Sequence, residues 1–207
     1  VKNNLIQCLE QVAEFQLKNF RKQDLKIEYK SHSSDLVTNI DKQSEKLIID
    51  HIKNSYSEHS ILCEESGKKY QNDHDYEWII DPLDGTNNYA HGLPFFSISV
   101  ALAYKKKEVL GVVYVPFFNE CYWAVKDSGS FCNDKQIKVN PQKDLKKAVV
   151  CTGFPYDINH PNNNIENVKK ILGKSQGIRR FGSAAYDLCL VAAGHLNAYW
   201  ELNLNLW

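Results

Sequence analysis

The chain has 207 residues, with 25 Lys+Arg against 25 Asp+Glu and a hydrophobic share of 43%, enough apolar material for one large core or two small ones. The balanced charge leaves no positive field to hold a polyanion, and no apolar run nears the ~20 residues of a bilayer crossing, so neither nucleic acid nor membrane is an expected partner. Six scattered cysteines form no C-x-x-C pair, and the opening VKNNLIQCLE lacks the order of a signal peptide, which predicts reduced thiols in a cytoplasmic protein.

Leu5, Cys8, Leu9, Val12, Phe15 and Phe20 share one face at helical spacing and predict an amphipathic helix over roughly residues 3 to 22. After the turn-like Ser33-Ser34-Asp35, Val37, Ile40, Ile48 and Ile52 predict a second helix. Ser60 to Cys63 and Trp78 to Ile80 are short apolar runs ending in acids, which reads as strands carrying carboxylates at their C-terminal ends, with the polar residues 66 to 77 a loop between them. From Phe96 to Tyr104 large and small residues alternate, and strand-like runs at 109 to 115 and 121 to 125 extend this to an antiparallel meander. Beyond Asn140-Pro141 the order becomes strand (148 to 151), helix (165 to 172, closed by Gly173), strand (178 to 181), helix (183 to 193, closed by Gly194) and strand (197 to 200), the alternation of an α/β unit. The expected division is an α+β half over 1–144 and an α/β half over 145–207.

The segment Trp78 to Asn88 carries the most chemistry. A buried strand delivers Asp81, Pro82 is expected to stop its ladder for want of an N–H, and Asp84 follows on the turn. Gly85 permits a tight turn and close approach to a ligand, and Thr86 would open a short helix whose N-terminus favours an anion. Oxygen ligands beside a phosphate cradle suit Mg²⁺. Glu64-Glu65 supplies a second acidic pair at a strand end, whose mutual repulsion a cation would relieve. Taken alone, Glu64-Glu65 reads as a solvated loop, Asp41 as a first-turn acid on a helix dipole and Gly182-Ser183 as a helix cap.

Glu64-Glu65-Ser66, the string Trp78 to Asn88, Arg180 to Ala185 and Tyr199-Trp200-Glu201 together resemble the successive signatures of the inositol monophosphatases, as do Ser34 to Asp41 and Gly111 to Tyr114. The resemblance implies a layered αβαβα sandwich of the inositol monophosphatase/fructose-1,6-bisphosphatase type and two or three Mg²⁺ per site. It assigns Glu64, Asp81, Asp84 and the Leu83 carbonyl as metal ligands, with Glu65 close by. Asp41 and Thr86 match the pair that orients and activates a water, with Glu64 beside them at the catalytic metal. The N–H groups of Gly85 and Thr86, with Asp84, match the phosphate site, and Gly182, Ser183, Ala184 and Glu201 the wall facing the alcohol.

The implied reaction is direct hydrolysis of a phosphate monoester by a metal-activated water, sensitive to lithium, in a protein expected to be a homodimer. Among substrates myo-inositol monophosphate leads; fructose 1,6-bisphosphate, 3′-phosphoadenosine 5′-phosphate and the 2′-phosphate of NADP are alternatives. A catalytically silent metal- or phosphate-binding protein is the other reading. The chain begins at Val1 without any methionine, and it stops at Trp207 where the family continues with a metal-binding Asp, so the expectation is a sequence with its C-terminal part truncated.

Overall fold

Helix α1 (Lys2–Asn19) buries Leu5, Cys8, Leu9, Val12, Ala13 and Gln16, the face that helical spacing marks. It ends at Asn19 rather than near residue 22, because Phe20 is already extended and Arg21 takes a positive φ of 63°. The computed structural model describes residues 1–23, 25–30, 36–69, 75–155 and 163–207. Strand β1 (Ile27–Tyr29) pairs antiparallel with β2 (Leu36–Thr38), and α2 (Asn39–Ser55) follows at once. Val37, expected on the helix, therefore lies in β2. Thr38 takes the N-cap with extended backbone, and Asp41 completes a capping box with it, which fixes the helix start. The Ser33-Ser34-Asp35 turn lies outside the described residues.

Next come β3 (Ser60–Cys63), β4 (Gly67–Lys69), β5 (Tyr76–Asp84), α3 (Thr86–Ala90), β6 (Ser97–Tyr104), β7 (Lys107–Val115), β8 (Glu120–Val125), β9 (Gly129–Cys132) and β10 (Lys135–Gln136). They form one sheet in the order β10-β9-β8-β7-β6-β5-β3-β4, antiparallel except for the β3–β5 pair. Two expectations are corrected here. The span 66 to 77 is not simply a loop, since β4 pairs with β3 and β5 starts at Tyr76. Pro82 does not end its strand either: it falls where the β5–β6 register shifts between Asp81 and Asp84, a bulge at which the ladder needs no N–H.

Helices α1 and α2 cover one face of this sheet, and their apolar residues meet Trp78, Ile80, Ile98, Val100 and Val112 in the main core. The chain then alternates through β11 (Val149–Thr152), α4 (Ile165–Leu172), β12 (Gly177–Arg179), α5 (Ala184–Ala192) and β13 (Ala198–Trp200). The three strands make a separate parallel sheet in the order β12-β11-β13. Tyr186 of α5 packs with Val115 and Tyr122, and Val113 joins that cluster while its neighbour Val112 points into the main core, so α5 sits on the far face of the large sheet. The result is a layered αβαβα sandwich.

All six cysteines are free, and burial pushes the thiols of Cys8, Cys121 and Cys151 up to about 11, 12 and 12. No described helix is long and apolar enough to cross a membrane.

Candidate active site

The apolar run of β5 sinks Trp78 and Ile80 into the core, and the strand then delivers its carboxylates beside the bulge. Asp81 is 6% exposed and accepts the Leu83 N–H at 3.0 Å, which folds the chain back toward Asp84. The turn is held from below by Gln16 of α1, fully buried, whose amide donates to the Pro82 carbonyl at 2.8 Å and to Ser44 Oγ at 3.1 Å. Gly85 caps α3 at φ +92°, and a Cβ there would stand 2.8 Å from the Phe95 carbonyl oxygen and 3.1 Å from that of Gly182. Glycine is what lets this turn meet the Gly182 turn backbone to backbone.

Thr86, first residue of α3, donates its hydroxyl to Asp41 Oδ1 at 2.7 Å, with the Leu83 carbonyl 3.0 Å away. Asp41 is 0% exposed and is no solvated first-turn acid. Its Oδ2 accepts the Thr38 N–H at 2.9 Å and the Thr38 hydroxyl. Burial pushes its carboxyl upward, opposed by these hydrogen bonds from Thr38 and Thr86. One side chain thus fixes the start of α2 and holds Thr86.

Glu64 and Glu65 follow β3, which runs parallel beside β5. Lys30 lies across both, its Nζ 3.0 Å from Glu64 Oε1 and 2.7 Å from Glu65 Oε1. Burial opposes the ammonium charge, but the two glutamates outweigh it and hold its pKa above the usual value. Glu65 is itself raised to about 7, mainly by burial. Behind it Glu45 accepts the N–H groups of Glu65 and Ser66 at 3.0 and 3.3 Å. The acidic pair is therefore a fixed part of the site and not a solvated loop.

Asp84 Oδ2 accepts the Ser183 hydroxyl and the Ala185 N–H, both at 2.7 Å, so it occupies the N-terminus of α5. Ser183 stands at the N-cap of that helix but makes no side-chain cap; its hydroxyl turns to Asp84, and to Ser97 Oγ at 3.0 Å. Burial first, then the charges of Glu64 and Asp84, push Asp81 well above the usual carboxylate range. Asp84 is raised too, by burial and by Glu64, against its hydrogen bonds from Ser183 and Ala185. Glu201 is raised by burial and by Asp84, opposed by the hydroxyl of Tyr199.

Together these groups surround a cleft of about 470 Å³. Of the residues singled out from the sequence, all line it except Asp41 and Glu65, which stand behind Thr86 and Glu64. Sequence reasoning missed Gln16, Lys30 and Asp187. Gln16 had a signal, a polar residue at a core position of an apolar helical face. Asp187 of α5 is 2% exposed, lines the cleft and is pushed up to about 7 by burial and by Asp84 and Glu201. Nothing local marked Lys30.

Among the described residues no three His, Cys, Asp or Glu side chains close on one point tightly enough to hold a metal by themselves. The donor set nonetheless fits a hard divalent cation: Glu64, Asp81 and Asp84 are carboxylates in mutual repulsion, Leu83 offers a carbonyl beside them, and the Lys30 ammonium stands where positive charge is required. Mg²⁺ keeps several waters and takes substrate oxygens, so few protein ligands suffice.

The sequence pattern of the inositol monophosphatase family matches residues 2–207. "Nus factor SuhB" of Pasteurella multocida is 43% identical over 188 residues, 90% of this chain and 70% of that protein. The crystal structure of the extragenic suppressor protein suhB from Bartonella henselae superposes with a TM-score of 0.94 at 34% identity, over 100% of this chain and 80% of that one. A solved IMPase/NADP phosphatase complexed with Mg²⁺ and phosphate gives a TM-score of 0.82 at 26% identity, over 98% of this chain and 73% of that one. Fold, signature strings and site geometry lead to one conclusion: the chain belongs to the inositol monophosphatase family.

Proposed function

We propose that the protein hydrolyses a phosphate monoester with Mg²⁺ as cofactor, myo-inositol monophosphate being the leading substrate, as a cytoplasmic homodimer. The observation that carries this reading is the Thr86 hydroxyl, held between Asp41 Oδ1 at 2.7 Å and the Leu83 carbonyl at 3.0 Å at the edge of a carboxylate nest. Glu64, Asp81, Asp84 and the Leu83 carbonyl would hold Mg²⁺, which when bound neutralises phosphoryl oxygens and lowers the pKa of a water.

This chain's own residues do the rest. Thr86 gives its hydrogen to Asp41, so its oxygen lone pairs are free to accept a proton from a water and aim it at phosphorus. Asp41, excluded from solvent and bonded twice by Thr38, is held in one orientation to receive it. Gly85 and Thr86 line the cleft at the start of α3, where their backbone N–H groups would donate to phosphate. Gly182, Ser183, Ala184 and Glu201 close the side facing the alcohol. Cleavage of the P–O bond sends the electron pair to the alcohol oxygen, which takes a proton from solvent.

The test is Asp84→Asn in the full-length protein. Asparagine keeps an acceptor for Ser183 and Ala185, so the fold persists, while the charge facing metal and phosphate is lost. We expect kcat/KM to fall by at least about a hundredfold, ~2.7 kcal/mol of transition-state stabilisation. Near-normal turnover at saturating Mg²⁺ refutes the assignment. The "Nus factor" name of the relatives supports a second reading, in which the chain acts as such a factor. Asp84→Asn separates the two, since that role would survive the loss of hydrolysis.

A further inference from the structure

Strands β11 and β13 pair Cys151 with Tyr199 and Thr152 with Trp200, so Gly153 and Glu201 leave the small sheet side by side. A buried amide locks this exit. Asn164, 3% exposed, donates through Nδ2 to Thr152 Oγ1 at 2.7 Å and to the Gly153 carbonyl at 2.6 Å, and its Oδ1 accepts Trp200 Nε1 at 2.7 Å. Thr152 Oγ1 donates in turn to the Trp200 carbonyl at 2.6 Å. With both hydrogens and the oxygen engaged, the amide is satisfied in one orientation only.

Just past this clamp the Tyr199 hydroxyl donates to Glu201 Oε2. The Glu201 carboxyl group then lies directly over Gly153, where a Cβ would overlap all three of its atoms. Gly153 is buried and its φ is ordinary, so the position demands empty space and not an unusual backbone. A glutamate loses much of its rotamer freedom when fixed. Here that cost is met before any ligand arrives, and with Oε2 engaged by Tyr199, Oε1, which has no hydrogen-bond partner among the described residues, can accept a hydroxyl.

We infer that Gly153, Asn164 and Tyr199 are positioning residues that place the Glu201 carboxylate and thereby set the preference of the cleft for polyhydroxylated alcohols over featureless leaving groups. The inference rests on the phosphatase reading and names the determinant of its substrate class. A site built to pair hydroxyls discriminates by leaving polar groups unpaired with the wrong ligand, so displacing the carboxylate erodes selectivity before it erodes hydrolysis.

Two measurements test this on the full-length protein. The first is a crystal structure of Gly153→Ala, in which the Glu201 carboxylate should move from its wild-type place. The second is the KM for myo-inositol monophosphate divided by that for p-nitrophenyl phosphate. The ratio should rise about tenfold in Gly153→Ala, about threefold in Tyr199→Phe, and in the same direction in Glu201→Gln. Gly173→Ala, with open space around its Cβ, should leave it unchanged. An unmoved carboxylate in Gly153→Ala overturns the inference, and so does a ratio unchanged by the first two variants while Glu201→Gln shifts it. A ratio that Glu201→Gln does not move removes the selectivity claim at its root. Should Gly153→Ala not fold, the structure and ratio of Tyr199→Phe decide instead. If the wild type cleaves neither phosphate, the reading of inositol monophosphate as substrate falls, and the displaced or undisplaced carboxylate still decides whether the clamp exists.

Discussion

Replacing Gly85 by alanine should damage the protein in a way the structure makes calculable. At φ +92° an L-residue pays ~1–2 kcal/mol for the left-handed backbone. The new methyl would also sit 2.8 Å from the Phe95 carbonyl oxygen and 3.1 Å from that of Gly182. Both are backbone atoms and cannot rotate aside, so relief requires separating the two turns, an overpacking cost of ~1–3 kcal/mol. Asn88 resists that separation, because its Nδ2 bridges the carbonyls of Phe95 at 2.6 Å and Phe181 at 2.7 Å. Reduced freedom of the unfolded chain returns ~0.4–1 kcal/mol. The net loss is about 1–4.6 kcal/mol, which for a chain of this size lowers Tm by about 2–18 °C. Urea unfolding followed by tryptophan fluorescence should show the lower midpoint at an unchanged slope. Phosphatase kcat/KM should fall with it, since the seam that opens joins the Gly85 turn to the Gly182 turn, the two turns proposed to hold the phosphate and the alcohol. A Tm within about 2 °C of the wild type would refute the claim that this contact is closed.

Stability should also respond to pH in a direction set by the buried acids. Asp41, Asp81, Asp84 and Glu201 are raised in the folded state, and Glu65 and Asp187 reach about 7. Acids raised on folding contribute stability that is complete below their unfolded values and lost as pH climbs through the folded ones. The chelated protein should therefore have a higher urea midpoint at pH 5 than at pH 7.5, and Mg²⁺ added at pH 7.5 should recover the difference; the opposite order in chelator would contradict the burial of these groups. Lithium should inhibit hydrolysis uncompetitively with respect to substrate, and full activity at lithium far above the substrate concentration would count against the inositol branch while leaving the metal chemistry intact.

The segment from Trp78 to Asn88 was legible because its signals are local: an apolar run, a proline, two acids and a glycine within eleven residues, all acting through neighbouring backbone. The alternation after residue 145 was legible for the same reason, and the observed strands and helices fall within a residue or two of their expected ends. Local periodicity also misled. Val37 stands three residues before Ile40 and so fits a helix, yet the Thr38 cap begins the helix after it. Pro82 reads as a stop, and only the β6 partner shows that it occupies a bulge. The polar Gly67–Lys69 strand has no apolar alternation to announce it and forms because β3 offers a free edge. What sequence could not supply are the long-range meetings: Lys30 with Glu64 and Glu65, Asp84 with Ser183, Gly153 with Glu201. Each joins segments whose spacing is set by the packing of whole layers.

The chemistry of the thiols has a practical consequence. A thiol raised to about 11 holds only about one part in ten thousand as thiolate at neutral pH, and one raised to about 12 tenfold less. Burial raises Cys132 and Cys189 as well. Maleimide or iodoacetamide reagents, which need the thiolate, therefore have little to attack at these five thiols, and Cys63 is 0% exposed. A single cysteine placed at Leu172, 64% exposed at the end of α4, would ionise far more readily and take one label against a nearly silent background. A fluorophore could be attached there without first removing any of the native six.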